Sequence, residues 1–252
     1  MANHPGVERF GGHQVGGAVV LTGGEAMRVR WFGQSAFQLS AGGQMVFIDP
    51  FGAVRAGMAA RGLRFDYPPI AGVRADLLLV THEHADHNGV EAVGGSPRVI
   101  RSTAGTLDSP VGPVTAVASE HDAAAGTRRG PNTIFAFEFG GLRVCHFGDF
   151  GQSALRPEQA EAIGRVDLLF VPVGAGPTIG PEGASAAVRR LRPSWVVPMH
   201  YRTPAISFLE PADAFAALFA DARRLDGAEF DTAELAPGVG DEAAVVVPAV
   251  PS

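Results

Sequence analysis

Three imidazoles and the carboxylate of Asp86 fall within the six residues His82-Glu83-His84-Ala85-Asp86-His87. Neutral imidazole and carboxylate are the ligands that zinc and its neighbours take. Crowding four such groups together without a cation is costly. His82 and His84 are two apart, so in an extended segment both point to the same side. Asp86 and His87 must then turn back, which suits a loop entering a helix. Two ligand pairs so placed can serve two adjacent metals. The spacing is not the helical His-Glu-x-x-His of zinc proteases, where the second histidine comes four residues after the first. The plain alternative is a surface His-rich loop.

Other polar groups stand at the ends of apolar runs. Asp149 follows Val144-Cys145-His146-Phe147-Gly148, and His200 ends Val196-Val197-Pro198-Met199. Ser119-Glu120-His121-Asp122 follows another run. Taken singly, a histidine after a strand is more often structural. Several strand ends delivering such groups beside the cluster read as a site built on a rigid scaffold.

The elements that must position these groups read as follows. Arg28 to Phe32 alternates as a half-buried strand does. Ala36 to Leu39 continues it, Gly42-Gly43 turns, and Met45 to Ile48 follows. Ala75 to Thr81 is a buried strand that ends at the cluster. A helix is expected to start at Asn88, with strands at 97–101 and 114–118. The second half repeats the habit with Thr133 to Phe139, Gly140-Gly141 and Leu142 to Phe147. Then come a helix over 157–164 with Pro at its first turn, a strand over 167–173, a helix over 183–191 and a strand over 194–198. Residues 211–225 read as an amphipathic helix, with Phe215, Leu218, Phe219 and Ala222 on one face. Hairpins first and strands with helices after, twice over, predict two packed sheets with helices outside.

Residues 1–26 are Gly-rich and weakly patterned, an N-terminal extension to a domain spanning 27–252. Its His4 and His13 read as solvated. The composition, 46% hydrophobic and 18% charged, is that of a globular chain. A net charge of −6 disfavours a general affinity for phosphate backbones, so a nucleic-acid partner is not expected. The single cysteine, Cys145, permits no internal disulfide and suits a reducing cytoplasm; its apolar strand makes it a core residue. Apolar runs are too short to span a bilayer, and the N-terminus does not read as a signal peptide. No serine lies in a nucleophile-elbow setting.

With Asp49-Pro50-Phe51, Thr81 to Gly89, Arg129 to Thr133, His146 to Gly151, Val171 to Gly174 and Pro198 to Tyr201, the chain resembles the metallo-β-lactamase superfamily. The nearer likeness is to its UlaG-like and UPF0173-like hydrolases. The likeness runs from about Met27 to about residue 210. It implies an α/β, four-layer αββα sandwich of two mixed sheets with helices on the outer faces. It implies two divalent metal ions, zinc foremost, with manganese or iron also acceptable to these ligands. His82, His84 and His121 would hold the first, Asp86, His87 and His200 the second, and Asp149 would bridge them. Asp49 would orient the cluster loop by hydrogen bonds. His146 competes with His121 for the first metal; the family pattern favours His121, leaving His146 behind the ligands or against the substrate.

Gln34 stands where relatives often carry His, and unlike His it does not titrate. Residues 174–178 depart from the Gly-Gly of many relatives, which would alter the cleft rim. Two cations can lower the pKa of a shared water to about 7. Asp86 would orient that nucleophile and shuttle its proton, and Arg129 would contact an anionic substrate. The leading expectation is hydrolysis of a small anionic ester, lactone or phosphodiester. Rivals are a nuclease of the same superfamily, a non-catalytic metal binder, and a flavin-linked di-iron redox protein, ranked last. A homo-oligomer is compatible with the sequence.

Overall fold

The computed structural model describes residues 26–252. The proposed extension, with His4 and His13, lies outside the described residues apart from Ala26. Met27 is wholly buried.

Three antiparallel strands open the chain: β1 (Arg28–Gly33), β2 (Ala36–Ala41) and β3 (Gln44–Ile48). Gly42 and Gly43 both take positive φ (57° and 75°), as a two-residue hairpin turn requires. A short helix α1 (Arg55–Ala60) and a two-residue strand β4 (Val73–Arg74) precede β5 (Leu77–Val80). β6 (Val93–Gly94) pairs with β4, and β7 (Arg98–Arg101) with β5. With a later strand, β15 (Glu229–Asp231), the strands other than β4 and β6 form a six-stranded sheet in the order β15-β1-β2-β3-β5-β7.

The second sheet repeats the plan. β8 (Gly105–Leu107), β9 (Val114–Glu120), β10 (Pro131–Phe139) and β11 (Leu142–His146) are antiparallel. Gly140-Gly141 makes the same turn as Gly42-Gly43, with φ of 57° and 76°. Helices α2 (Pro157–Ile163) and α3 (Pro181–Leu191) then alternate with β12 (Leu168–Pro172) and β13 (Trp195–Met199), which run parallel to β11. After α4 (Asp213–Ala216) come β14 (Ala222–Arg224), β15 (Glu229–Asp231) and β16 (Ala244–Val247). The eight-stranded order is β14-β16-β13-β12-β11-β10-β9-β8.

The period of two sorts each strand's side chains between layers. Trp31, Phe37, Leu39, Val46, Ile48, Leu77 and Leu79 face the second sheet and share one core with Phe135, Phe137, Val144 and Phe170. The Phe37 and Phe170 rings meet across the sheets at 4.4 Å. Phe32, Phe47 and Leu78 point the other way, into a second cluster with Phe51, Phe65 and Tyr67. The expected αββα sandwich is the fold. Its helical layer over the first sheet is thin: none of the six residues of α1 is fully buried, and loops supply most of the cover.

Two helices expected from the sequence are shorter in the structure. At Asn88 there is one 3-10 turn, Val90–Ala92. The 211–225 stretch is helical only over Asp213–Ala216. Its apolar spacing does record packing, since Phe215 is buried and lies 4.9 Å from Phe219. The chain must then straighten so that Ala222–Arg224 can pair with β16, and Leu218 is left exposed. Tertiary pairing overrides local periodicity here. Among the described residues no helix is long and apolar enough to cross a membrane.

Candidate metal centre

β3 and β5 run parallel, so Asp49 and Thr81 leave the first sheet side by side. β9, β11 and β13 share one direction in the second sheet. Their C-terminal ends deliver His121, Asp149 and His200 to the same edge. The cluster loop after β5 meets them there.

Asp49 organises that loop. Its Oδ1 accepts the Thr81 backbone N–H at 2.7 Å. Its Oδ2 accepts the Thr81 hydroxyl at 2.7 Å and His87 Nδ1 at 2.9 Å. The Thr81 hydroxyl, having given its proton to Asp49, accepts from His82 Nδ1 at 3.0 Å. His121 Nδ1 donates to the Pro177 carbonyl at 3.0 Å. In all three imidazoles the proton is therefore fixed on Nδ1 and the Nε2 lone pair is bare. Those lone pairs converge on one atom. Asp149 Oδ2 lies 3.1 Å from His121 Nε2, 3.3 Å from His87 Nε2 and 3.9 Å from His82 Nε2. His200 Nε2 is also 3.1 Å away.

Lone pairs facing a carboxylate oxygen repel unless a positive charge lies among them. His87 Nε2 is buried with no hydrogen-bond partner among the described residues. His82 Nε2 and His84 Nδ1 face each other at 3.1 Å. Two histidine-rich triads, His82-His84-His121 and Asp86-His87-His200, each bring their ligand atoms within 4.8 Å of one another. The chemistry of this donor set fits metal binding. A third triad, Asp49-His82-His87, is equally compact, but Asp49 is already taken up by Thr81 and His87.

The protonation equilibria of the cluster itself show the same demand for positive charge. Burial pushes the His87 imidazole down, yet the Asp149 and Asp86 carboxylates outweigh it and hold it well above its ordinary value, so that with no cation beside it the Nε2 lone pair takes up a proton in place of a metal. Burial pushes Asp149 up, but His200 and His87 hold it well below the usual carboxylate range. Burial, then the charge of His87, holds His82 well below the ordinary imidazole value, which keeps it neutral.

His146 resolves differently from His121. Its Nε2 donates to the Ser35 carbonyl at 3.0 Å, and its Nδ1 accepts from the Gly148 N–H at 3.1 Å. It is wholly buried, packed near Phe37 and Phe170. Both of its ring nitrogens are thus taken up within the protein. Glu83, inside the cluster run, points away. Arg101 first, with Ser102 and Asn88, holds its carboxyl down at about 2. Cys145 is buried, and burial raises its thiol, as expected of a core residue.

Gln34, Asp49 and His200 all have left-handed backbones, with φ of 52°, 48° and 51°. Such residues cost about 1–3 kcal/mol each and persist only where tertiary bonds hold them. Asp49 N–H donates to the Leu79 carbonyl at 2.9 Å, and His200 N–H to the Gln34 carbonyl at 3.3 Å. Gln34 Nε2 reaches Asp86 Oδ2 at 3.4 Å, tying Gln34 to the candidate catalytic carboxylate.

Sequence reasoning passed over the individual role of Asn132. Its amide donates to the Phe147 carbonyl and to Ser119, both at 2.8 Å, and its Oδ1 accepts the Asp149 N–H at 3.0 Å. A polar residue just before the apolar run Ile134 to Phe137 was the available signal. Ser35, whose hydroxyl donates to Asp149 Oδ1 at 3.4 Å, carried none. Asn132→Ala leaves the buried Asp149 N–H and Phe147 carbonyl unpaired. It is expected to cost about 2 kcal/mol, read as a fall of about 4–8 °C in Tm by calorimetry.

The centre opens into a cleft of about 690 Å³, within the range of small-molecule sites. His84, Asp86, His121, Asp149 and His200 lie at its floor, and Arg61, Arg128, Arg129, Met58, Leu63 and Phe208 line it. Gly176 and Pro177 form part of the rim. A depression of about 720 Å³ beside the two Gly-Gly turns holds one titratable side chain, Glu138, and none of the candidate ligands.

The family described as Beta-lactamase superfamily domain matches residues 28–200. A UPF0173 metal-dependent hydrolase of Methylobacterium nodulans is 36% identical over 226 residues, covering 75% of this chain and 90% of the relative. One from Thermus thermophilus is 33% identical over 202 residues, covering 70% and 84%. A crystal structure from Thermotoga maritima, described as a Zn-dependent hydrolase of the metallo-β-lactamase superfamily, superposes with a TM-score of 0.70 at 33% identity. That match covers 88% of this chain and 98% of the other.

Proposed function

The chain belongs to the UPF0173 metal-dependent hydrolases of the metallo-β-lactamase superfamily, and from that premise we propose that it cleaves a small anionic ester, lactone or phosphodiester at a two-cation centre. His82, His84 and His121 would hold one cation and Asp86, His87 and His200 the other, with Asp149 between them. The observation that carries this reading is the convergence of bare Nε2 lone pairs on Asp149 Oδ2, each fixed by a partner on its Nδ1 side. Zinc is the expected metal, and imidazole with carboxylate also accepts manganese and iron.

Two such cations, when bound, acidify water and polarise the electrophile. The protein supplies the rest. Asp86 lies partly buried on the cleft floor, within reach of both a substrate and His87 (3.7 Å). It can orient the attacking water and take its proton. Gln34 anchors one Asp86 oxygen and does not itself titrate, so proton handling falls to Asp86. The buried walls of His82, His87 and Asp149 exclude bulk water from beneath the site.

Elemental analysis of protein purified without chelator is expected to give two metals per chain. A panel of lactones, esters and phosphodiesters then sorts the substrate class. His84 is a direct candidate ligand at the cleft; His84→Ala should lose one metal and about 100-fold or more in kcat/KM. Metal-free wild-type protein, or metal content indifferent to His84→Ala, would overturn the assignment.

A further inference from the structure

We propose that Arg61, Arg128 and Arg129 form an anion-recognition rim, so that the substrate carries an oxyanion, carboxylate or phosphate, separate from the bond that is cleaved. The proposal deepens the hydrolase reading above and rests on it for the reaction. The three guanidinium groups come from two distant segments. Arg61 caps the C-terminal end of α1, and Arg128 and Arg129 lie on the loop that leaves His121. All three are exposed and line the cleft over the candidate ligands.

What sets these three apart is their shared place at the cleft. Arg55, at the other end of α1, is paired with Asp66 at 3.4 Å. Among the described residues, no ion pair engages Arg61, Arg128 or Arg129. The chain has no lysine and a net charge of −6. Three guanidinium groups without ion-pair partners, gathered at the mouth of a cleft whose floor carboxylates Asp86 and Asp149 would be occupied by the metals, make a local positive field that draws anions to that cleft. Guanidinium also presents a planar fork that matches carboxylate and phosphate oxygens.

The loop that carries two of them is built to hold its shape. Asp122 Oδ1 accepts the N–H of Ala124 at 2.7 Å and of Gly126 at 3.1 Å. Its Oδ2 accepts the N–H of Arg128 at 3.0 Å and of Arg129 at 2.8 Å. The carboxylate thus fixes the backbone of the two arginines themselves. Gly130 N–H closes the loop onto the Gly126 carbonyl at 2.8 Å. A Cβ on Gly126 would come within 2.9 Å of the Gly130 carbonyl oxygen, so the turn is too tight for any side chain. Arginines displayed on so constrained a backbone lose little loop entropy when they bind. Met58, Leu63 and Phe208 line the same cleft and suit a short apolar portion of the same substrate.

The test is calorimetric titration with inorganic phosphate and with glutarate. It uses wild type, Arg61→Gln and the double variant Arg128→Gln/Arg129→Gln, each metal-loaded and metal-stripped, at low and high salt. At least one anion should bind the wild type. The double variant should bind it about tenfold or more weakly, with metal content unchanged and a shallower dependence on salt. Arg61→Gln should have a smaller effect in the same direction. The anion held more tightly tells phosphate from carboxylate recognition. Metal-stripped protein should keep the arginine-dependent part of the binding, so the rim is judged even if the metal assignment fails. Equal affinity in wild type and double variant, or no binding of either anion by the wild type, would overturn the proposal.

Discussion

Asp149→Asn is expected to lose both cations and to lower kcat/KM by roughly 1,000-fold or more, because the acidified water disappears with the metals. The substitution keeps the volume of the side chain. The backbone N–H of residue 149 still donates to Asn132, and an amide oxygen can still accept from Ser35. What changes is the atom at the centre. An amide nitrogen in place of Oδ2 turns two hydrogens toward His121, His200 and His87, whose Nε2 atoms stand at 3.1, 3.1 and 3.3 Å. Those hydrogens can satisfy two of the lone pairs that would otherwise bind metal, so most of the site pairs internally and the fold survives. The variant should melt cooperatively, carry no metal by elemental analysis, and be inert on whichever substrate the wild type cleaves. Two metals retained with activity within tenfold of wild type would move the bridging role away from Asp149.

How much of this was legible in the sequence depends on whether a residue's meaning is local. The cluster 82–87 was legible because four candidate ligands are consecutive or nearly so, and their spacing alone places them on one side of a chain. His121, Asp149 and His200 were legible more weakly, as polar groups at the ends of apolar runs. The structure makes them one site because β9, β11 and β13 share a direction, a fact of pairing that no single segment carries. The choice between His121 and His146 also needed the structure. Both follow or end a strand, and only the contacts of His146 with Ser35 and Gly148 show that both its nitrogens are occupied. Arg61 was out of reach for a different reason. It caps a helix, Arg55–Ala60, that has no apolar face to announce it. The 211–225 stretch failed in the opposite sense: its apolar face is present, but residues 222–224 are drawn into a strand by Ala244–Val247, more than twenty residues on.

Asp49→Asn is expected to weaken metal binding by about 100-fold, at the upper end of what groups behind metal ligands contribute, although Asp49 itself is assigned to no metal. The reason is a tautomer. Asp49 accepts at both oxygens, from the Thr81 N–H, the Thr81 hydroxyl and His87 Nδ1. Asparagine has one oxygen and one amide nitrogen, so one of these contacts must become donor against donor. If the nitrogen faces His87, the imidazole must give up its Nδ1 proton and carry it on Nε2, where it blocks the metal. The Thr81 hydroxyl must turn as well, and His82 Nδ1 then loses the acceptor that fixes its own tautomer. If instead the nitrogen faces the Thr81 backbone N–H, that buried donor is left unpaired at a cost of about 1–3 kcal/mol, and the strand end carrying the cluster loosens. Either arrangement disturbs His87 or the loop that holds it. Competition against a chromogenic chelator measures the affinity directly. Excess zinc should restore most of the activity of Asp49→Asn, and should not restore that of Asp149→Asn. Wild-type metal affinity in Asp49→Asn would mean that the Nδ1 partner does not set the His87 tautomer, and the convergence of lone pairs on Asp149 would lose one of its three supports.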